Sequence, residues 1–252
     1  MLAEWFRHLV TPAPAAAKRL GYLRELIAIE ARHRRCRAAW APHLEHSRRF
    51  VLGAAEGLAK HDKVTVLGSG LLLDVPLAEL AESFAEVVLV DIVHLPAVRR
   101  TARAFSNVNL IEADVSEMVD DVNAGGVTNT VPIPKLPQGD ADLVVSLNLI
   151  TQVGVMLARH GVDGDAVATA HLAALKALPG RVALIGEVTR EWVEDGVVVE
   201  SDRPLAHLDL PPPDEIWSWD LAPAPELDRR RNRRFTVAGY ADLSKINTRA
   251  AP

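Results

Sequence analysis

Five apolar runs in this sequence each end in residues able to do chemistry. Gly68, Ser69 and Gly70 follow VTVL, Asp91 follows VVLV, and Asp114 follows LIEA. Ser146 to Asn148 close the run beginning LVV, and Glu187 follows VALIG. Glycines at 68 and 70 remove Cβ atoms where a backbone must turn sharply and approach a ligand. Asp91 comes 23 residues after Gly68, the distance at which an acid at the tip of the next strand accepts hydrogen bonds from a ribose diol. Asp114 either accepts a hydrogen bond from an adenine amino group or caps the helix that follows it. Asn148 and Gln152 are neutral amides that hold a polar substrate without competing for a transferred group. Glu187 either binds a substrate amine or acts as a base, or else pairs with Arg190.

These residues need a frame that brings strand ends together. KVTVLGSG (63–70), EVVLVDI (86–92), NVNLIEAD (107–114), ADLVVSLNLI (141–150) and RVALIGEV (181–188) read as buried strands. Between them VPLAELAESF (75–84), LPAVRRTARAF (95–105) and GDAVATAHLAALKAL (164–178) read as helices, with a short one near 116–122. Strands alternating with helices at this spacing predict a parallel sheet with right-handed crossovers. Continuous apolar strands predict burial on both faces. In such a sheet ligands sit outside the carboxyl ends of the strands, where the residues above collect. SLNLITQV reads as the turn leaving the fourth strand.

The flanks differ. Residues 1–61 read as a helical extension, broken near Pro42, and residues 62–252 as the α/β unit. Arginines and histidines between 32 and 49 read as a solvated helix face. At the other end, EWVEDGVVVES carries Asp-Gly between apolar flanks, a hairpin signal. IWSWDLA (216–222) and RFTVAGYADL (234–243) read as an antiparallel pair at the end of the sheet. The fold class is therefore α/β: an open, mostly parallel twisted sheet with helices on both faces, a C-terminal antiparallel strand pair and a helical N-terminal extension.

Composition narrows the function. The chain has 252 residues, 49% of them hydrophobic and 24% charged, and a formal net charge of −5. That is a globular composition with no general attraction for nucleic acid. One cysteine, Cys36, excludes an internal disulfide and fits a reducing, cytoplasmic setting. No cluster of ligand spacing calls for a metal. The first twenty residues are interrupted by Glu4, Arg7 and His8, unlike a signal peptide, and no run reaches the roughly 20 apolar residues of a membrane span. The expected partner is a small-molecule substrate, with no DNA and no membrane; a homo-oligomer is left open.

The ordered set VTVLGSG, VVLVD, IEAD, ADLVVSLN and RVALIGE, with the reversed final strand pair, resembles the class I S-adenosylmethionine-dependent methyltransferases over about residues 62–243. The resemblance implies S-adenosylmethionine as cofactor. Gly68, Ser69 and Gly70 would line its methionine and ribose part, Asp91 its ribose hydroxyls, and Asp114 with the backbone of Val115 its adenine. Asn148 would sit beside the sulfonium. Asn148, Gln152 and Glu187 are the candidates for the chemistry. Two positions depart from the family pattern: Val66 stands where an acid is usual, and Leu72 where a third glycine is usual. Asp74 either replaces the missing acid or caps the next helix. The reading expected is methyl transfer to a small molecule. Its rivals are a silent binding or assembly protein of the same fold and an NAD(P)-dependent oxidoreductase, whose pattern would need glycine at Leu73. The turn after the fourth strand lacks the Pro-Pro-aromatic signature of amino-directed DNA methyltransferases. His171 reads as a packed helical histidine, His160 as a helix C-terminal residue, Trp217 and Trp219 as core, and the basic run at 228–234 as a solvated turn.

Overall fold

The structure, a computed structural model, describes residues 11–126 and 130–244. Most of the N-terminal segment read against a signal peptide lies outside the described residues. Among the described residues eight strands, β1 (Lys63–Leu67), β2 (Glu86–Asp91), β3 (Val108–Glu112), β4 (Leu143–Leu147), β5 (Arg181–Glu194), β6 (Val197–Asp202), β7 (Glu215–Ala222) and β8 (Asn232–Tyr240), form one sheet in the order β3-β2-β1-β4-β5-β8-β7, with β6 paired to β5. The parallel part is β1 to β4 and the first half of β5. β1, β2, β4 and the start of β5 are Val/Leu-rich because both faces are covered, while β3 at the edge is part-exposed, against the expectation of burial. In β4, Leu143, Val145 and Leu147 pack to one side and Val144 to the other, all buried. Each such side chain contributes about 1.5–3 kcal/mol relative to exposure.

The first layer of helices holds α3 (Arg37–Ala55) and α4 (Leu77–Ser83). The second holds α6 (Val119–Asn123), α7 (Ile150–Ala158) and α8 (Gly164–Lys176). Three further helices are α1 (Ala15–Arg19), α2 (Tyr22–Arg35) and α5 (Pro96–Ala102). Leu23 and Ile27 of α2 pack with Val93, Leu95 and Val98 beyond the tip of β2. The N-terminal helices thus lie over the carboxyl ends of the strands.

Three further expectations change. The break in the N-terminal helices falls at Cys36 (φ −102°, ψ 20°), and Pro42 lies inside α3. Cys36, Trp40 and Leu44 are buried together near Trp219 and Leu221, so tertiary packing fixes the bend. A proline this close to a helix start disturbs few hydrogen bonds. SLNLITQV, read as a turn, instead runs into α7, which begins at Ile150. The fifth strand runs on to Glu194, through a register shift between Glu187 and Thr189, so Glu187 lies within a strand rather than at its end. The C-terminal antiparallel pair ends the sheet as expected, with β8 entering between β5 and β7, antiparallel to both. The Asp195-Gly196 hairpin to β6 (Val197–Asp202) is as expected, with both residues at positive φ.

Candidate functional site

One cavity of about 290 Å³ opens at the carboxyl ends of β1, β2 and β4, roofed by α2 and α3. Gly68, Gly70, Asp91, Asp114, Val115, Asn148, Gln152 and Glu187 all line it. Residues far apart in sequence meet because parallel strands place their carboxyl ends on one edge.

The side facing β1 to β3 is held by backbone. Gly68 turns at φ 79°, its N–H donating to the Val90 carbonyl at 2.9 Å. A Cβ there would lie 2.9 Å from the Leu147 carbonyl oxygen, so only glycine fits. The Gly70 N–H donates to Asp91 Oδ2 at 2.7 Å and the Ile92 N–H to Oδ1 at 2.8 Å. Burial pushes the Asp91 carboxyl up to about 6, opposed by N–H donors from Gly70, Ile92 and Val93. Each oxygen keeps a lone pair for a ligand. Asp114 Oδ1 accepts from the Ser116 N–H at 2.9 Å and hydroxyl at 2.6 Å, and Oδ2 from the Val119 N–H at 2.8 Å. Its turn-capping role is therefore present while it also borders the cavity. Ser69 departs from expectation: its hydroxyl is buried against His94 Nε2 at 3.2 Å, and the residue is not on the wall. Only its backbone remains to shape the loop.

The two irregular positions acquire a physical reading. Val66 is 1% exposed and packs in the α3–α4 layer, so no side chain from that position faces the cavity. Asp74 does. No side chain caps α4; instead Asn148 Nδ2 donates to Asp74 Oδ2 at 2.8 Å. Burial holds the Asp74 carboxyl above its usual range. Arg48 Nε donates to the Leu73 carbonyl at 2.9 Å, tying this loop to α3. Leu72 adopts φ 61°, a left-handed conformation that glycine takes without strain. Asn148 also has positive φ, 50°, and its Oδ1 is buried without a partner among the described residues.

The opposite side is built by α2, α3, β7 and β8. Tyr22, Glu25, Ile29 and Arg32 line it at helical spacing along one face of α2. Trp40, His43, Trp219 and Phe235 complete an aromatic wall. Trp219 stands edge-on to Trp40 at 5.0 Å and to Phe235 at 5.8 Å, and stacks on His43 at 4.1 Å with 5° between planes. His43 is 1% exposed, and its Nδ1 accepts from Trp217 Nε1 at 2.9 Å. Burial, with His46 nearby, pushes its imidazole down to about 3. His43 Nε2, Trp219 Nε1 and Arg32 Nε are buried without hydrogen-bond partners among the described residues. Glu187, 5% exposed, takes a 2.7 Å bond from Arg190, the ion pair that was one of its two readings.

Three readings of single residues are corrected here. Trp219 lines the cavity, while Trp217 is core as expected. His43 and Arg32 belong to a wall, not to a solvated face. Their signal was present in the sequence: Trp40, His43, Leu44, Ser47, Phe50 and Val51 recur on one helical face and are all buried. The readings of two histidines stand. His171 is buried and bonded to Ser146 at 3.2 Å, and His160 reaches the Leu20 carbonyl beyond the end of α7. The basic run departs in part from a solvated turn: Arg231 pairs with Asp228 within the turn, but Arg233 and Arg234 lie in β8 and pair across the sheet with Asp202 of β6 and Glu191 of β5. Among the described residues no helix is long and apolar enough to cross a membrane.

By sequence, no family model and no curated protein matches the chain. Solved structures do. The 1,6-didemethyltoxoflavin-N1-methyltransferase of Burkholderia thailandensis, with S-adenosylhomocysteine bound, is 16% identical over 78% of each chain, with a TM-score of 0.43. A Leishmania major SAM-dependent methyltransferase is 14% identical over 93% of this chain and 81% of its own, TM-score 0.41. The N-methyltransferase NodS of Bradyrhizobium japonicum, also with S-adenosylhomocysteine, is 12% identical over 78% of this chain and 86% of its own, TM-score 0.40. Likenesses this distant say nothing about activity.

Proposed function

We propose that this chain is an S-adenosylmethionine-dependent methyltransferase acting on a small-molecule acceptor. The observation that carries the reading is the Asp91 carboxylate, fixed by the Gly70 and Ile92 N–H groups at the tip of β2 and facing the Gly68 turn. An acid held in this way matches a ribose diol. The other residues fit the same cofactor. Gly68 leaves room where a Cβ would meet backbone. Asp114 and Val115 border the position for an adenine, and Asp74 with the orphaned Asn148 Oδ1 offers acceptors to an ammonium. Asp74 thus takes the place of the acid missing at Val66.

S-adenosylmethionine supplies a methyl group on a sulfonium, which leaves the protein to align and desolvate the nucleophile. Asn148 and Gln152 are neutral and orient polar groups. Glu187 is the candidate base for an acceptor that must lose a proton, once its pairing with Arg190 is exchanged for the substrate. The reversed β8 between β5 and β7, and Leu73 at the third glycine position, speak against a dinucleotide-dependent oxidoreductase. The single, buried cysteine fits the cytoplasm.

Calorimetry with S-adenosylmethionine, S-adenosylhomocysteine and NADH tests the reading. The wild type is expected to bind both adenosyl ligands and not NADH, and Asp91→Ala to lose about 100-fold in affinity, the worth of charge-assisted bonds to a diol. Absence of adenosyl binding by the wild type would overturn it. Binding without methyl transfer to any small-molecule acceptor would favour the silent binding protein.

A further inference from the structure

We propose that the His43 Nε2–H and the Trp219 indole N–H form a donor pair that holds a carbonyl or carboxylate oxygen of a planar methyl acceptor, an inference that rests on the methyltransferase reading above. An indole nitrogen can only donate. Trp217 Nε1 lies 2.9 Å from His43 Nδ1, so Nδ1 must accept, and the proton of the neutral ring must be on Nε2. The neighbour's chemistry therefore fixes the tautomer. His43 lines the cavity together with Trp40 and Leu44.

His43 is nine-tenths buried and more, and its Nε2 has no partner among the described residues. Trp219 Nε1 is orphaned in the same way, in a ring stacked 4.1 Å from the imidazole. The acids lining the cavity have other partners: Glu187 is bonded to Arg190, Asp74 to Asn148 and Glu25 to Arg159, and Asp91 and Asp114 accept from backbone N–H groups. Buried donors left without acceptors are costly, and a ligand oxygen removes that cost. Arg32 Nε, also orphaned, adds positive charge to the same wall, with Glu226 Oε1 3.9 Å away. The aromatic edges and faces of Trp40, Trp219 and Phe235 select a flat molecule. His43 cannot serve as the base, because its one basic nitrogen is occupied by Trp217. It positions the acceptor and leaves the proton to another group.

Protein saturated with S-adenosylhomocysteine is titrated with 2-acetylnaphthalene and with its apolar isostere 2-isopropylnaphthalene, read by tryptophan fluorescence. The wild type is expected to prefer the ketone by about tenfold, the worth of a satisfied buried donor. His43→Gln, whose amide oxygen accepts from Trp217 while its NH₂ donates, keeps most of that preference. His43→Phe brings the ratio near one with S-adenosylhomocysteine affinity unchanged. Trp219→Phe, which leaves the Trp217–His43 bond in place, lowers the ratio part-way, and it tests the pair should His43→Phe not fold. A ratio near one in the wild type, binding of neither probe, or a ratio retained in His43→Phe would overturn the inference. Should the wild type not bind S-adenosylhomocysteine, the methyltransferase reading fails by itself; the same titration on unloaded protein then decides the donor pair.

Discussion

Along the β1–β3 side of the cavity the polar side chains are already occupied. Asp91 is held by Gly70 and Ile92, and Asp114 by Ser116 and Val119. Along the α2, α3 and β7 side, the N–H groups of His43 and Trp219 and the Nε–H of Arg32 have no hydrogen-bond partner among the described residues, Arg32 Nε lying 3.9 Å from Glu226. The first side is preorganised by local backbone bonds, which suits a ligand that never varies. Its geometry is set before binding. The second side is complete only when something else supplies the acceptors, which suits the variable partner of the reaction. Specificity of this kind is strong, because a ligand lacking the matching atom leaves a buried donor unpaired.

The largest way to break this contrast is Gly68→Ala. The added Cβ meets the Leu147 carbonyl oxygen at 2.9 Å on a backbone at φ 79°. The expected result is a loss of about 2–3 kcal/mol in chemical denaturation, from overpacking and strain. S-adenosylhomocysteine affinity falls with it, while the ratio between the two naphthalene probes is kept.

Titration with pH sharpens the contrast at a smaller scale. On the proposed reading the Asp91 carboxyl, raised to about 6, would accept from the diol in its charged form, so adenosyl affinity is expected to fall as pH drops through about 6 in calorimetry. His43, lowered to about 3, stays neutral there, and the probe ratio is expected to remain flat from pH 5 to 8. Stability carries both signs. Asp91 is protonated more readily folded than unfolded, so its contribution is present below about 4 and is lost as pH rises through about 6. Buried His43, and His94 and His171 lowered to about 4, act oppositely. Their stability is present above about 6.5 and is lost as pH falls towards their folded values. Three histidines outweigh the two raised aspartates, Asp91 and Asp74, so thermal unfolding is expected to move to lower temperature between pH 6.5 and 4.

The smallest effect is expected at Leu72→Gly. Glycine relieves the left-handed backbone at φ 61°, worth about 1 kcal/mol. It also removes a side chain packed against two core clusters, a loss of similar size. Stability is expected to change by less than about 1 kcal/mol. A change of several kcal/mol in either direction would mean that this residue, rather than the Gly68 turn, governs the loop.

Much of this was legible in the chain. The apolar runs VTVL, VVLV and LVV announce buried parallel strands, and the Gly68 turn with Asp91 announces the cofactor side, because strand ends and glycine turns are local features. Asp114 was legible only as two alternatives. The acceptor side was less visible: the spacing of Trp40, His43 and Leu44 marks a buried face of α3, yet the surrounding arginines read as a solvated helix.

By itself, then, the sequence determined which residues alternate, which turn and which lie at strand ends, since these follow from repeats of two and 3.6 residues and from the freedom of glycine. Tertiary structure alone decided that β8 enters between β5 and β7, that Asp74 faces Asn148 instead of capping α4, that Ser69 turns towards His94, and that Trp217 fixes the proton of His43. Each depends on a partner distant in the chain, at 74 residues for Asp74 with Asn148 and 174 for His43 with Trp217. Such pairings form only when the burial of whole faces repays the entropy of closing long loops, a balance no short stretch of sequence carries.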